Sequence, residues 1–257
     1  MSDVNMESME ELMTPTRARY HHGDLRQALL ETALRLIAER GPEGFSLREA
    51  AREVGVSPAA AYRHFADKPA LLAALAAEGH GLLAVAMEKG AAKVPDLEPE
   101  AARAIAHLLA IGRAYIEFAV KNPSFFRVMF GPALKVEGFE PCSSPSSGRD
   151  AYEILTATLD ELVQFGAITA ERRPGAEIAI WSAVHGLATL LVDGALPFSA
   201  RQRTDAYLAL GRSILLGLGC AGELVPVLPP RWKGPHPVHQ GRHPRGALNA
   251  PRAARPR

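Results

Sequence analysis

The residues with the most informative chemistry lie around a short run, Pro58, Ala59 and Ala60, which Tyr62 follows. An alanine side chain can touch a thymine methyl group, but it neither donates nor accepts a hydrogen bond. If this run enters a major groove of DNA, it therefore reads few bases directly. Discrimination between DNA sequences then depends on Arg48, on Tyr62, on DNA shape and on a basic arm near the N-terminus, which is described below.

Two short helices joined by a glycine turn must position these residues. Ser46 is the predicted N-cap of the first helix, Glu49 the reciprocal member of a capping box, and Gly55 the left-handed residue that ends it. Ser57 caps the second helix, which begins with Pro58. This pattern predicts a helix-turn-helix, whose second helix enters the major groove by its N-terminal residues.

Apolar spacing indicates which sides of these helices are buried. Ala61 and Phe65 face the first helix, so Ala59, Ala60 and Arg63 are left towards solvent or DNA. One more helix upstream completes a three-helix head through a single apolar stripe. That stripe consists of Leu25, Leu29, Ala33, Leu36 and Ile37.

The head is preceded by segments of opposite charge. Arg17 and Arg19 form a basic arm that could reach phosphates or a minor groove. Residues 1–16 begin with acidic and polar residues and are predicted to be a disordered tail. His21 and His22 could suggest a metal site, but adjacent histidines without cysteine or carboxylate at ligand spacing are more often hydrogen-bonded or solvated. We predict no metal.

After Lys68 the pattern is helical, without a useful strand-like stretch. The predicted helices span 69–92, 100–121, 123–130, 149–165, 175–196 and 200–218. The fold expected is all-α, with a helix-turn-helix head over 17–67 and a helical-bundle body for ligand binding and dimerisation over 68–222. Residues 223–257 are rich in proline, histidine and arginine and predict a disordered tail.

The last two helices are apolar on nearly every side, and such a helix is buried on several faces. In a domain of this size the extra face has to meet another chain, and a two-fold dimer is the simplest closed arrangement. We therefore expect a homodimer. The apolar residues are Ile178, Ile180, Trp181, Val184, Leu187, Leu190, Leu191, Val192, Leu208, Leu210, Ile214, Leu215, Leu216 and Leu218.

Overall composition restricts the class of protein. The net charge of the 257 residues is only +1, so DNA binding has to come from a local basic patch. The two cysteines give no disulfide framework. No hydrophobic run of membrane-spanning length and no signal peptide is apparent, so we expect a cytoplasmic protein and no membrane partner.

The block from Arg26 to Leu75 resembles the N-terminal domain of the TetR family of bacterial transcriptional regulators. The runs LRQALLETALRLIAERG and FSLREAAREVGVSPAAAYRHFADKPALLAAL carry the resemblance. It implies phosphate contacts from Ser46, Tyr62, His64 and Lys68, with Arg48, Ala59 and Ala60 facing bases. The complete predicted DNA-binding set is Arg17, Arg19, Ser46, Leu47, Arg48, Ser57, Pro58, Ala59, Ala60, Tyr62, Arg63, His64 and Lys68. Taken singly, Tyr62 and His64 could instead cover the head core, and Lys68 could pair with Asp67 or Glu78.

Trp181, His185 and Gly186 resemble the W, H and G of the WHG-type regulatory domain found in one TetR subgroup. Trp181 and His185 stand four residues apart and share a helix face. They could line a cavity for a mostly apolar effector with one polar handle, although packing in an ordinary core is the alternative for each residue. The predicted pocket residues are Tyr115, Phe118, Phe125, Phe126, Met129, Trp181 and His185.

These expectations lead to a ligand-responsive repressor that binds a near-palindromic double-stranded DNA operator and is released by a small-molecule effector. An activator of the same architecture remains an alternative. The sequence has no nucleophile elbow, phosphate-binding glycine loop, zinc signature or cofactor fingerprint, so neither an enzyme nor a cofactor is predicted. Glu117, Asp160 and His185 are the acid or base candidates of an alternative catalytic body. A pure protein-interaction domain would leave the capped helix-turn-helix unexplained.

Overall fold

The structure is a computed structural model that describes residues 22–131 and 142–225. This part of the chain forms nine α-helices and two short 3-10 helices, Ala170–Arg172 and Gly222–Leu224, and it contains no strand. The predicted all-α fold is confirmed. The α-helices are α1 His22–Arg40, α2 Leu47–Val54, α3 Pro58–Tyr62, α4 Lys68–Ala91, α5 Glu100–Lys121, α6 Pro123–Phe130, α7 Ala151–Gln164, α8 Ala176–Val192 and α9 Ala200–Gly217.

The described residues form two compact units. The first contains 22–79 and 124–131, and the second contains 80–123 and 142–225. The predicted boundary at residue 68 marks the start of α4, whereas the division between the units falls at Gly79, inside that helix. Helix α4 therefore contributes its first half to one unit and its second half to the other.

The first unit has a core built by α1, α2 and α3, the helices of the head. Leu29, Ala33, Leu36 and Ile37 of α1 are fully buried, as the apolar stripe predicted. Helix α1 ends at Arg40 and is followed by Gly41, whose φ of 77° is left-handed and whose amide donates to the Ile37 carbonyl at 2.9 Å. The head therefore has its own small core, set by local sequence signals.

Helix α6 packs against the first half of α4 within the same unit. Phe125, Phe126 and Met129 are buried. A Cβ built at Gly79 would lie 2.6 Å from the Met129 sulfur and 3.0 Å from the Phe125 ring. Glycine at this position is what lets α6 approach α4 so closely.

The second unit is organised around α5, which packs against α7 and α8, while α8 also contacts α9. Two glycines bring α5 and α9 together. A Cβ at Gly112 would lie 2.9 Å from the Tyr207 hydroxyl, and one at Gly211 would lie 2.6 Å from the Leu109 side chain. The Tyr207 hydroxyl donates a short hydrogen bond to the Leu109 carbonyl, which fixes the tyrosine against α5.

Helix α4 corrects one expectation, because by length and composition it is apolar enough to cross a membrane. Several of its apolar side chains are core residues of the two units, among them Leu71, Leu75, Leu83 and Met87, whereas Leu82 is exposed. A core helix of a soluble protein passes the same test. Packing therefore accounts for part of the hydrophobicity of α4.

Candidate nucleic-acid interface

The first helix of the helix-turn-helix is fixed at both ends as predicted. Ser46 is extended and its hydroxyl accepts a hydrogen bond from the Glu49 amide at 3.2 Å. Gly55 has a φ of 82°, and its amide donates to carbonyls of the last turn of α2. The Val56 amide bonds to the Ala51 carbonyl at 3.0 Å, which closes the turn before α3. The corner between the two helices is thus specified by local chemistry.

Only one of the two hydrogen bonds of the predicted capping box forms. The Glu49 side chain does not return to the N-cap; it accepts a hydrogen bond from the Arg40 guanidinium at 2.6 Å. This bond is the main reason why the pKa of the Glu49 carboxyl lies below its usual value. The expectation failed because Arg40, at the end of α1, offers a charged partner that local spacing does not reveal.

Helix α3 presents the surface that alanine spacing predicted. Ser57 caps it by accepting from the Ala60 amide at 3.2 Å, with Pro58 in the first turn. Ala61 and Phe65 are buried, whereas Ala59 is exposed and 43% of the surface of Tyr62 is exposed to solvent. The outer side of α3 therefore carries small apolar groups and one phenol that can reach a ligand.

Leu47 does not belong to this surface. Its side chain is 3% exposed and forms part of the head core. The residues on either side of it, Ser46 and Arg48, are exposed. The prediction that the Leu47 side chain contacts DNA is wrong, because this side chain faces inwards at the first turn of α2.

Lys68 opens α4 as predicted, but its partner is different. Its ammonium donates to the Glu43 carbonyl at 3.2 Å and lies 3.7 Å from the Glu43 carboxylate. The same ammonium lies 4.9 Å from the centre of the Phe45 ring. The proposed pairing with Asp67 or Glu78 is wrong. The Lys68 ammonium is held at the loop before α2, where a phosphate would compete with Glu43, an exposed and weakly bound partner.

The backbone amides at the start of α4 are poorly placed to bind a phosphate. Asp67 already caps this end, because its carboxylate accepts from the Ala70 amide at 2.7 Å. A carboxylate in that position repels a second anion. The Lys68 side chain, rather than the helix terminus, is the part suited to a phosphate.

Three described arginines of the head form no ion pair; Arg26 lies over the Phe65 ring, and the other two are available to an outside partner. Arg35 pairs with Glu53, and Arg40 pairs with Glu49, so these cations are compensated within the head. Arg48 and Arg63 are exposed and form no ion pair with any residue in the described ranges. Together with Lys68 they supply the local positive charge that a chain of low net charge needs. Arg17 and Arg19, the predicted arm, lie outside the described residues.

The second unit contains a hydrogen-bonded aromatic cluster around Tyr115 of α5. The Tyr115 hydroxyl lies 2.8 Å from Nδ1 of His185, and it also accepts from the Trp181 indole. Tyr115 is buried, His185 is half-buried, and Trp181 is 38% exposed. Burial lowers the pKa of His185 and raises the pKa of Tyr115, so both groups stay neutral near pH 7. Three of the predicted pocket residues therefore share one polar chain.

Tyr152 of α7 is a member of this cluster that the sequence did not indicate. Its ring meets Trp181 edge-on, with 5.5 Å between the ring centres. The start of α7 is fixed by a complete capping box between Asp150 and Glu153. That box, visible in the sequence as D-x-x-E, could have placed Tyr152 on the first turn of α7, but not beside Trp181.

The other predicted pocket residues are buried core residues. Phe118 lies in the second unit, while Phe125, Phe126 and Met129 pack within the first unit. The seven residues thus belong to two separate units. Hydrogen bonds join three of them, Tyr115, Trp181 and His185.

Comparison with known proteins agrees with these features. Residues 29–75 match the family model described as bacterial regulatory proteins, tetR family. Residues 108–211 match the model described as tetracyclin repressor-like, C-terminal domain, which includes Trp181, His185 and Gly186. Together the two matches cover more than half of the chain.

Solved structures show the same fold. A protein of unknown function from Rhodococcus sp. RHA1 is 30% identical, with a TM-score of 0.58 over 78% of this chain and 98% of that one. A tetR-family regulatory protein from Rhodococcus RHA1 has a TM-score of 0.58 at 21% identity, over 76% and 97% of the two chains. A single-residue variant of TetR from Acinetobacter baumannii AYE, in complex with minocycline, has a TM-score of 0.51 at 18% identity, over 81% and 100%.

The capped helix-turn-helix, its exposed cations and the two family matches lead to one conclusion: the chain belongs to the TetR family of DNA-binding transcriptional regulators.

Proposed function

We propose that this chain is a ligand-responsive repressor that binds a near-palindromic operator as a homodimer. The observation that carries the proposal is the exposed outer side of α3, with Tyr62 at 43% exposure beside alanines and uncompensated arginines. A helix presented in this way fits a major groove by its N-terminal residues. The same architecture would serve an activator if the operator lay upstream of a promoter.

Exposed apolar side chains on the last two long helices support dimerisation. Ile178 and Leu190 of α8 are 56% and 46% exposed, and Leu216 of α9 is 45% exposed. Large exposed apolar side chains on two helices that contact each other suit a protein interface. A second copy would cover them and would place two heads so that they reach successive major grooves, about 34–36 Å apart.

The cluster of Tyr115, Trp181 and His185 supports the effector site. A neutral histidine with Nδ1 accepting from Tyr115 carries its proton on Nε2 and can donate to a polar handle. The aromatic rings of Tyr115, Trp181 and Tyr152 beside it suit a mostly apolar molecule. The relative from A. baumannii holds minocycline, a small molecule, and we infer that this chain also responds to one. We propose that the C-terminal regulatory domain of this chain is of the WHG type.

Helix α4 is the proposed route of coupling, because it contributes to both units. Effector binding in the body would displace α4 and change the spacing of the two heads. Such coupling is reciprocal, so operator DNA must weaken effector binding by the factor by which effector weakens DNA binding. A factor of one, meaning that effector leaves the affinity for operator DNA unchanged, would contradict the scheme.

We propose no catalytic role and a cytoplasmic location. Each of the three acid or base candidates is held by a different partner. Glu117 pairs with Arg113 at 2.8 Å, Asp160 with Arg173 at 2.7 Å, and His185 with Tyr115 at 2.8 Å. That arrangement supports three structural contacts rather than a shared reaction centre. The absence of a cofactor stays a prediction.

The test is fluorescence anisotropy with DNA taken from upstream of the chain's own coding region. Tyr62→Ala and Arg48→Ala should each weaken binding about tenfold, as expected when a charged or hydrogen-bonding contact to DNA is lost. Lys89→Ala is the matched control, because Lys89 is an exposed cation of the second unit. Equal affinity for all four proteins would refute the proposed surface.

A further inference from the structure

A cleft between α5 and α9 has no role in the function proposed above. It has a volume of about 200 Å³. Arg113, Glu117 and Lys121 of α5 and Arg203 of α9 line its edges. Ile116, Val120 and the ring of Tyr207 form its apolar floor. The cleft therefore combines a hydrophobic surface with three cations and one carboxylate.

Helical spacing separates this cleft from the proposed effector site. Arg113, Glu117 and Lys121 follow one another at four-residue intervals along one face of α5. Tyr115 lies about half a turn away from that face, given the angle of roughly 100° between successive helical residues. A ligand in the cleft would thus bind the side of α5 opposite to the Tyr115 hydroxyl.

The cleft is also distinct from the apolar surface proposed for dimerisation. Its α9 residues, Arg203, Thr204 and Tyr207, lie on the side of the helix that continues into buried Gly211 and Leu215. Leu216, the exposed apolar residue of α9, lies about half a turn from Tyr207 at roughly 100° per residue. Dimerisation through Leu216 leaves the cleft side of α9 to another partner.

The polar groups of the cleft are held in place. Glu117 binds the Arg113 guanidinium at 2.8 Å and lies 3.9 Å from the Lys121 ammonium, so it keeps both cations along the same wall. The Arg203 guanidinium donates to the Phe198 carbonyl at 3.0 Å. Burial raises the pKa of Tyr207, whose hydroxyl already donates to Leu109, so the floor stays neutral. Three cations facing one carboxylate leave an excess of two positive charges.

We propose that this cleft is a second ligand site, which takes a small organic anion with an apolar body. Arginine and lysine bind carboxylates through charge-assisted hydrogen bonds, and the apolar floor suits a ring or a short hydrocarbon chain. A cavity of about 150 Å³ is large enough for benzene, so this cleft accommodates a molecule of the size of benzoate.

Benzoate and benzamide are suitable probes, because they have nearly the same shape and differ in charge. Isothermal titration calorimetry of the full chain should show that benzoate binds. Benzamide should bind at least about fivefold more weakly or not at all, as expected for the loss of a partly exposed charge contact. Arg203→Gln and Lys121→Gln should each weaken benzoate binding by a similar factor. Glu117→Gln should strengthen it, since it removes the one negative charge of the cleft.

Two controls distinguish this site from others. Arg201→Gln changes an exposed cation of α9 that does not line the cleft, and it should leave benzoate binding unchanged. Tyr115→Phe alters the proposed effector site and should also have no effect. Loss of benzoate binding in Tyr115→Phe but not in Arg203→Gln would place the ligand in the other site. Equal affinity for benzoate and benzamide, no benzoate binding, or weakening by Arg201→Gln equal to that by Arg203→Gln would overturn the proposal.

Discussion

The head and the body of this protein carry their functional residues in opposite ways. In the head, the core is made by local apolar spacing, and the residues proposed to face DNA, such as Ala59 and Tyr62, are exposed. In the body, the polar groups of the proposed effector site start from a buried residue, Tyr115, and reach the surface at Trp181 and in part at His185. The proposed DNA-binding surface therefore uses residues outside the core of the head, whereas the proposed effector site includes a residue of the core of the body.

The contrast extends to how each part is specified. Caps and turns fix the head at Ser46, Gly55 and Ser57, each within a few residues of the helix that it ends or begins. The body depends on contacts between distant segments, such as Tyr207 with Gly112. Changes in the head should therefore act locally and predictably, and changes in the body should act through packing.

The largest effect is expected from a cavity in the head. Leu36→Ala removes a fully buried side chain of α1 and should destabilise the head by about 2–5 kcal/mol. DNA binding should then be lost while most of the helical signal in circular dichroism remains. Leu82→Ala, at a residue 44% exposed, is the matched control and should change little. Complete unfolding by Leu36→Ala alone would show that the two regions do not behave separately.

A smaller effect is expected at the turn between α2 and α3. Gly55 has a φ of 82°, so Gly55→Val should cost about 1–2 kcal/mol in backbone strain and weaken DNA binding. Nothing lies within 4 Å of a Cβ at this position, so the cost comes from conformation rather than from collision. Gly55→Asn is the matched control, because asparagine tolerates the left-handed region. Thermal unfolding that ranks the two variants in the reverse order would contradict this explanation.

The smallest effect is a pH dependence of the body. Burial lowers the pKa of His185 and of His80 below the usual value of 6.5, and Asp150 partly opposes this shift at His80. The unfolded chain then binds more protons than the folded chain below that pH, so stability decreases as the pH falls from about 7 to about 5.5. Urea unfolding of His185→Gln should show a shallower decrease than the unchanged protein. A decrease of equal steepness in both would assign the effect elsewhere.

Most of the fold could be predicted from the sequence because its signals are local. Helix α5 begins at Glu100 and ends at Lys121 as expected, since Pro99 precedes it and Asn122 and Pro123 follow it. Helix α8 ends at Val192, four residues before its predicted end, because Gly194 takes a φ of 73° and stops the helix. An internal glycine that must turn left-handed looks the same in sequence as one that stays helical.

The site was predictable only in part, because partners across the chain compete with neighbours in sequence. Glu49 binds Arg40 instead of its own N-cap, and Lys68 binds Glu43 instead of Asp67. Tyr152 meets Trp181 through the packing of α7 and α8, which no spacing rule indicates. Leu47 faces the core although both of its neighbours are exposed.

Hydroxyl-radical footprinting on the upstream DNA tests the central claim most directly, because it shows whether two heads bind one duplex. We expect two protected segments on the same face of the duplex, separated by about one helical turn or a whole multiple of it. At a protein concentration near the Kd of the unchanged protein, Tyr62→Ala should weaken both segments together, since each copy of the chain contributes one α3. A single protected segment, or undiminished protection by Tyr62→Ala at that concentration, would contradict the account.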